Sequence, residues 1–429
     1  MQPTEEISEQ LLEYLSKSKD SMVELLEELV AIESPTMAHD AQLEVFQAIE
    51  RHVGLQNFRY RCLPVERSAG VAVYFPPKPD EPCRVRANRK DAIKVEQDSG
   101  AKESRRMVTG RENLHRRRSP WNGKQLILGH VDTVWPIGTL QQMPLRRVNQ
   151  QLYGPGVFDM KGGIVQAVFA IKALHECDLL PTLQPILLLN SEEEVGSPNT
   201  RELIKRFASC CDRVFVLEPP VGSAGLLKTE RKGGGFFRLK VKGRAAHAGL
   251  NPDEGRNAIE RMLSVLHRLQ ALGESYRQLR LNLGQIQGGV AANVVAPNCE
   301  VVVDVRAASH DELMNLKQQL LKLPFAEDGM CLTIDVDLDR PPMERNERNQ
   351  ELWFSAQRIA QHLGISLKQT SVGGGSDGNF TSPVTATLDG LGAVGSGAHQ
   401  TDEHVLVDEM PKRSTLLATL LLEPNSRCS

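Results

Sequence analysis

No C-x-x-C pair occurs among the eight cysteines of this 429-residue chain, and only Cys210 and Cys211 adjoin. That scatter argues against a disulfide framework and against a thiolate-held zinc. Any metal must then be held by histidine and carboxylates. A run of about 18 apolar residues, long enough to span a bilayer, is also missing. The first residues, MQPTEEISEQ, are acidic and polar rather than basic and then apolar, unlike a secretory signal. A cytoplasmic protein is the expectation. The net charge of only −3 points neither toward nor away from a polyanionic partner, and there are no internal repeats. What remains is ordinary for a globular chain, with 40% hydrophobic and 24% charged residues. The length exceeds what a single core usually serves, so two domains are expected.

Near the start, Val23, Leu25, Leu26, Leu29 and Val30 stand at helical spacing and Pro35 marks the stop. Between Arg84 and Arg118, nine arginines and three lysines face five acidic residues, a net +7 in a segment poor in apolar residues. It reads as an exposed, disordered insertion. The other reading, a nucleic-acid arm, lacks interleaved aromatics for base stacking. Thereafter strand and helix alternate through KQLILGHVDTV, DMKGGIVQAVFAIKALHE, PILLLN, TRELIKRFAS and DRVFVLEPP. The order predicts an α/β domain, a mainly parallel mixed sheet with helices on both faces. From residue 232 the pattern changes. Phe237, Leu239 and Val241 alternate with Arg238, Lys240 and Lys242 as in a half-exposed strand, and a helix follows with Ile259, Met262, Leu263, Leu266 and Leu269 as its stripe. Two helices on an antiparallel sheet make a small α+β domain inserted at 232–339, between catalytic-domain parts at 1–231 and 340–429.

The stretch PILLLNSEEEVGS, residues 185–197, drives an apolar run into three glutamates. A solvated acidic turn would explain it, and so would the mouth of a buried strand, where open α/β sheets keep their ligand sites. Metal-capable residues also follow other strands: His130 and Asp132 after QLILG, Glu218 after VFVL, and Asp159 just before a helix. His399 lies in the glycine-rich GSGAHQTDEHV. Imidazoles and carboxylates without thiolates suit zinc, and also cobalt or manganese. A carboxylate shared by two cations is the usual scaffold of a two-metal hydrolase.

In this order, GHVDTV, GPGVFDMKGG, SEEEVGS, VLEP, RAAHAG and GAHQTDEHV resemble the dizinc peptidase family of glutamate carboxypeptidase, acetylornithine deacetylase, succinyl-diaminopimelate desuccinylase and aminoacylase. The resemblance covers nearly the whole chain apart from the basic insertion. It implies two divalent ions, with zinc the first expectation. Asp159 would bridge them, His130 and Glu218 would complete one, and Glu194 and His399 the other. Glu193 would be the general base, Glu192 the spare of the triplet, and Asp132 would accept a hydrogen bond from His130 and orient it.

The resemblance also implies that His247, assisted by Asn293, reaches a neighbouring subunit's site as an oxyanion donor, so a homodimer through 232–339 is expected. Arg306 and Arg340 match positions that grip a substrate carboxylate, though either could be a surface ion pair. Gly374 and Gly375, within GGGSDGN, would let backbone N–H groups approach the substrate, while Asp377 and Asn379 could serve only the turn. His404 is left outside the ligand set. The implied activity is cleavage of an amide or peptide bond next to a free carboxylate. Release of a C-terminal glutamate-like residue is preferred over N-acyl amino acid deacylation. Small peptides or N-acyl amino acids would be the substrates, with no membrane partner and no nucleic acid.

Overall fold

A computed structural model of the chain describes residues 5–53, 58–76, 121–325 and 329–424. The basic segment 84–118 lies outside the described residues. The larger sheet has six strands in the spatial order Arg59–Val65, Ser68–Phe75, Gln184–Asn190, Lys124–His130, Arg213–Val216 and Ala386–Leu388. The last four run parallel, and Ser68–Phe75 is antiparallel to both its neighbours. The parallel strands read as near-continuous apolar runs because helices cover both faces. Side chains alternate across a strand, so Ile127, Leu187, Leu189 and Phe215 join one core while Leu126, Leu128, Leu188, Val214 and Val216 join another. The first core is closed by helices that include Lys19–Ala31, His39–Val53, Gly162–Glu176 and Met410–Leu422, the second by Arg201–Ser209 through Ile204 and Ala208. Among the described residues no helix is long and apolar enough to cross a membrane.

A second sheet, wholly antiparallel, has the order Arg280–Gly288, Asn298–Ala307, Gly233–Lys242, Cys331–Arg340. The helices Ala258–Glu274 and His310–Leu321 lie on one face, over a separate core built on Phe237, Leu239, Val241, Val301, Val303 and Val305. Arg238, Lys240 and Lys242 are exposed on the opposite face, as the alternation predicts. In the first of these helices the expected stripe needs a correction. Leu263 is 50% exposed, and Val265 takes its place in the core beside Met262, Leu266 and Leu269. Ile259, also in the expected stripe, is half-buried and packs against this core, while 267 is exposed beside Leu263.

The chain crosses between the two sheets side by side. Arg231 and Met343 exchange backbone hydrogen bonds of 3.0 Å, and Asn379 Nδ2 donates to the carbonyls of Lys232 and Pro341 at 3.2 and 2.8 Å. Features that escaped the sequence reading include the helices His39–Val53 and Glu347–His362 and the hairpin Arg59–Val65/Ser68–Phe75. The N-terminal helical stretch is also two helices, Glu5–Lys17 and Lys19–Ala31, divided at Ser18.

Candidate metal centre

Strand register brings the metal-capable residues level. His130 pairs with Asn190, which places the Glu192–Glu194 turn just beyond it. Leu128 pairs with Val216, so Glu218, two residues further on, stands level with His130. Asp159 enters from the turn Val157–Lys161 that opens the helix Gly162–Glu176. His399 enters from a loop in which Gly397 has φ +83°, and a Cβ there would lie 2.9 Å from the Glu403 backbone. His399 itself has φ 61°, a conformation that costs a residue with a β-carbon about 1 kcal/mol or more and recurs at functional sites.

The imidazoles and carboxylates converge. His130 Nε2 lies 3.3 Å from Asp159 Oδ1 and 3.5 Å from Glu218 Oε1. His399 Nε2 lies 3.6 Å from Asp159 Oδ2 and 3.3 Å from Glu194 Oε2. The two Asp159 oxygens thus face the two histidines. Ligand atoms of His130, Asp159 and Glu194 fall within 4.8 Å of one another, as do those of His130, Glu193 and Glu218. Proximity alone therefore groups Glu193 with the potential ligands, whereas the motif comparison leaves it free. The ion pair between Glu193 Oε1 and Arg340 Nη1, 3.0 Å, weighs for a free Glu193, because that oxygen already has a counter-charge.

The donor set suits cations. Asp159 Oδ1 and Glu194 Oε1 are buried without a hydrogen-bond partner, which ordinarily costs about 1–3 kcal/mol each. Burial, and then the Glu218 charge, pushes the Glu193 carboxyl up to about 8. Burial raises Glu194 too, opposed by its hydrogen bond to His399, and that bond lifts His399 to about 9. Burial works against a charged His130, yet the carboxylates of Asp132, Asp159 and Glu218 at 3.3–3.5 Å hold it well above the ordinary value. A pocket that draws protons onto its bases is short of positive charge, and divalent ions would supply it.

Further residues hold these groups in place. The Asp132 carboxylate accepts from the Glu193 and Glu194 N–H groups, both at 3.1 Å, and from Thr36 Oγ1 at 2.8 Å. His130 Nδ1 instead meets the Asp132 carbonyl at 2.9 Å, with the nearer carboxylate oxygen at 3.4 Å. Asp132 thus orients the glutamate turn as well as the imidazole. Glu192 turns away and accepts from Asn199 N, Asn199 Nδ2 and Thr200 N at 2.6–2.9 Å, anchoring the start of the helix Arg201–Ser209. Asp377 accepts from Asn190 Nδ2 and Ser197 Oγ.

Two charged residues not singled out from the sequence prove central. Arg231 binds Glu218 Oε2 at 2.9 Å, Asp389 through two nitrogens at 2.8 and 3.0 Å, and the carbonyls of Gly374 and Gly375. These two glycines therefore turn carbonyls, rather than N–H groups, toward Arg231. Arg231, with His130 and Lys228, outweighs burial and holds Glu218 far below the usual carboxylate range. Glu403 accepts from the N–H groups of Gly156, Phe158 and Asp159 and from Trp135 Nε1 at 2.8–3.0 Å, and so fixes the loop that presents Asp159. A charged residue in a loop has no periodicity to betray it; only its place within the GAHQTDEHV motif marked Glu403.

Other candidates stand apart. Among the described residues no hydrogen bond or ion pair joins His247, Asn293 or Arg306 to the carboxylate cluster. His247 is exposed on the smaller unit, and its Nδ1 accepts from Gly249 N and Leu250 N at 3.1 and 3.2 Å. The Asn293 carbonyl accepts from Ala248 N. Arg306 Nε pairs with Asp304 at 2.9 Å. His404 meets the Asp402 carbonyl and the Tyr153 ring rather than the cluster.

Comparison with known proteins points the same way. A family model described as peptidase family M20/M25/M40 matches residues 126–423. Carboxypeptidase G2 of Pseudomonas sp. (strain RS-16) is 28% identical over 314 residues, 70% of this chain and 74% of that protein. Succinyl-diaminopimelate desuccinylase of Stenotrophomonas maltophilia (strain R551-3) is 29% identical over 304 residues, 66% of this chain and 80% of that protein. The crystal structure of the Bacillus subtilis YXEP protein, described as a dinuclear metal binding peptidase of the M20 family, superposes with a TM-score of 0.64 at 13% identity. The match covers 94% of this chain and 97% of that one.

Proposed function

The chain belongs to peptidase family M20/M25/M40 and is a metal-dependent hydrolase, and on that premise we propose that it cleaves an amide or peptide bond beside a free carboxylate, as a glutamate carboxypeptidase-type exopeptidase. The observation that carries this reading is Asp159, whose two oxygens face two different histidines, each with a further carboxylate at hand.

His130, Asp159 and Glu218 would hold one divalent ion and Asp159, Glu194 and His399 the other, with zinc the metal that this donor set suits best. Bound there, the ions would supply Lewis-acid polarisation of the scissile carbonyl and a more acidic attacking water. Glu193 is placed to take a proton from the attacking water and return it to the leaving nitrogen, and burial raises the basicity of its carboxyl. With Nδ1 of His247 occupied as an acceptor, its proton sits on Nε2, free to donate to the tetrahedral oxyanion. Because His247 and Asn293 sit apart from the carboxylates, the reading has them complete the site of a second subunit. The edge strand Arg280–Gly288, exposed along nearly all its length, supports a homodimer through 232–339. Arg340, beside Gly375, and Arg306, on the smaller unit, serve the substrate carboxylate. Free cysteines at all six described positions accord with a cytoplasmic location.

N-acyl amino acid deacylation is the second reading, favoured by the likeness to desuccinylases. Side-by-side assays of N-acyl-glutamates, dipeptides and acetylornithine with added zinc or cobalt separate the two. Purified protein is expected to carry about two ions per subunit, and Asp159→Ala to lose at least one. Absence of hydrolysis of every one of these substrates, with metal bound, would overturn the substrate class.

A further inference from the structure

Arg340 ends the strand Cys331–Arg340 of the smaller sheet and precedes the Pro341–Pro342 crossing, yet its side chain lies in the larger unit's site. It occupies a shaped slot. The guanidinium carbon is 5.3 Å from the Phe380 ring centroid. A Cβ on Gly375 would collide with Arg340 Cδ and lie 2.8 Å from Nη1, so only glycine leaves room for this path. Glu193 is the only hydrogen-bonding partner of the guanidinium among the described residues. The pair is nearly out of solvent, at 11% and 10% exposure, where charge-assisted hydrogen bonds are strongest. A guanidinium offers five N–H donors in a fork that matches a carboxylate. One carboxylate already sits on it, and that carboxylate is the group on which proton transfer depends.

We infer that Arg340 exchanges carboxylates: without substrate it holds Glu193, and the free carboxylate of an entering substrate takes the guanidinium and releases Glu193 for proton transfer. The exchange rests on the hydrolase reading above, in which Glu193 is the base and the substrate carries a carboxylate. It makes that carboxylate an activator as well as a handle. A substrate lacking it would bind beside a base that is still held. No covalent bond changes; one ion pair replaces another, and net charge at the guanidinium is conserved.

Competition predicts a binding signature separate from catalysis. Free glutamate is titrated calorimetrically into metal-loaded wild type, Glu193→Gln, Arg340→Gln and the double variant. Removing the competing carboxylate in Glu193→Gln should tighten glutamate binding by about tenfold to a hundredfold, the worth of a hydrogen bond to a charged group. The gain should vanish in the Arg340→Gln background. A gain that persists without Arg340 is general relief of negative charge, and no gain at all means no competition; either result overturns the exchange. Should Arg340→Gln fail to fold, Gly375→Ala, which pushes the arginine out of its slot, takes its place in the same cycle. Kinetics supply a second check: Arg340→Gln should slow a carboxylate substrate while speeding its carboxamide analogue, and an equal loss on both would also refute the proposal. Failure of the wild type to hydrolyse any acylated amino acid would strike the hydrolase reading, while the titration still decides the exchange.

Discussion

Glu192, Glu193 and Glu194 follow one another at the mouth of one strand, yet their carboxylates meet different partners. Glu192 takes three donors from Asn199 and Thr200, Glu193 meets Arg340, and Glu194 meets His399. Successive side chains around the short 3-10 turn Glu193–Val195 and its cap Glu192 point in different directions, so residue type alone could not divide these roles. The division makes a prediction. Glu193→Gln should lower kcat by about 10²–10⁴-fold with metal content unchanged. Glu192→Gln should leave the chemistry within a few fold but cost about 1–3 kcal/mol of stability, because backbone donors lose a charged acceptor. Urea unfolding and steady-state kinetics on the two variants separate these outcomes. Loss of activity in Glu192→Gln without loss of stability would reverse the assignment.

At the scale of elements, the metal centre depends on how tightly the helix Gly162–Glu176 closes on the strand ends. A Cβ on Gly163 would run into the Leu217 carbonyl oxygen and lie 3.1 Å from the Gly392 Cα. Both obstacles are backbone and cannot swing aside. Gly163→Ala should gain about 1 kcal/mol of helix propensity and lose more through overpacking, about 1–3 kcal/mol. The expected net effect is a lower urea midpoint at unchanged slope. Weaker metal binding should accompany it, because Leu217 precedes Glu218 and the displaced helix begins just after Asp159. The helix was legible in DMKGGIVQAVFAIKALHE, and its first residues are the two glycines. What they make room for was not, since Leu217 and Gly392 belong to other segments. Of the hairpin beside Gln184–Asn190, which was also missed, Arg59–Val65 is a half-exposed edge strand with no strong apolar run, whereas Ser68–Phe75 carries the buried run VAVY.

For the whole molecule, the proposed ligands come from five separated segments, so metal binding and folding should be coupled. A metal-free protein keeps the crowded carboxylates without their counter-charge, while a ligand at 100 times its Kd adds about 2.7 kcal/mol per site. Chelation should therefore lower Tm by several degrees, restored by zinc, and Asp159→Ala should abolish most of that shift. A Tm indifferent to metal would count against a centre that ties these segments together.

Much of the candidate site was readable in the sequence alone. Buried strands announce themselves by apolar runs, and imidazoles and carboxylates at their ends announce metal chemistry, because periodicity and residue type are local properties. Which counter-charge each carboxylate receives is another matter. Arg231 reaches Glu218 across 13 residues, Arg340 reaches Glu193 across 147, and Glu403 reaches the Asp159 backbone across 244. No local pattern encodes such pairs. They are decided only when the parallel register and the two crossings between the sheets bring distant chain together, because electrostatic partnership depends on distance in space rather than along the chain.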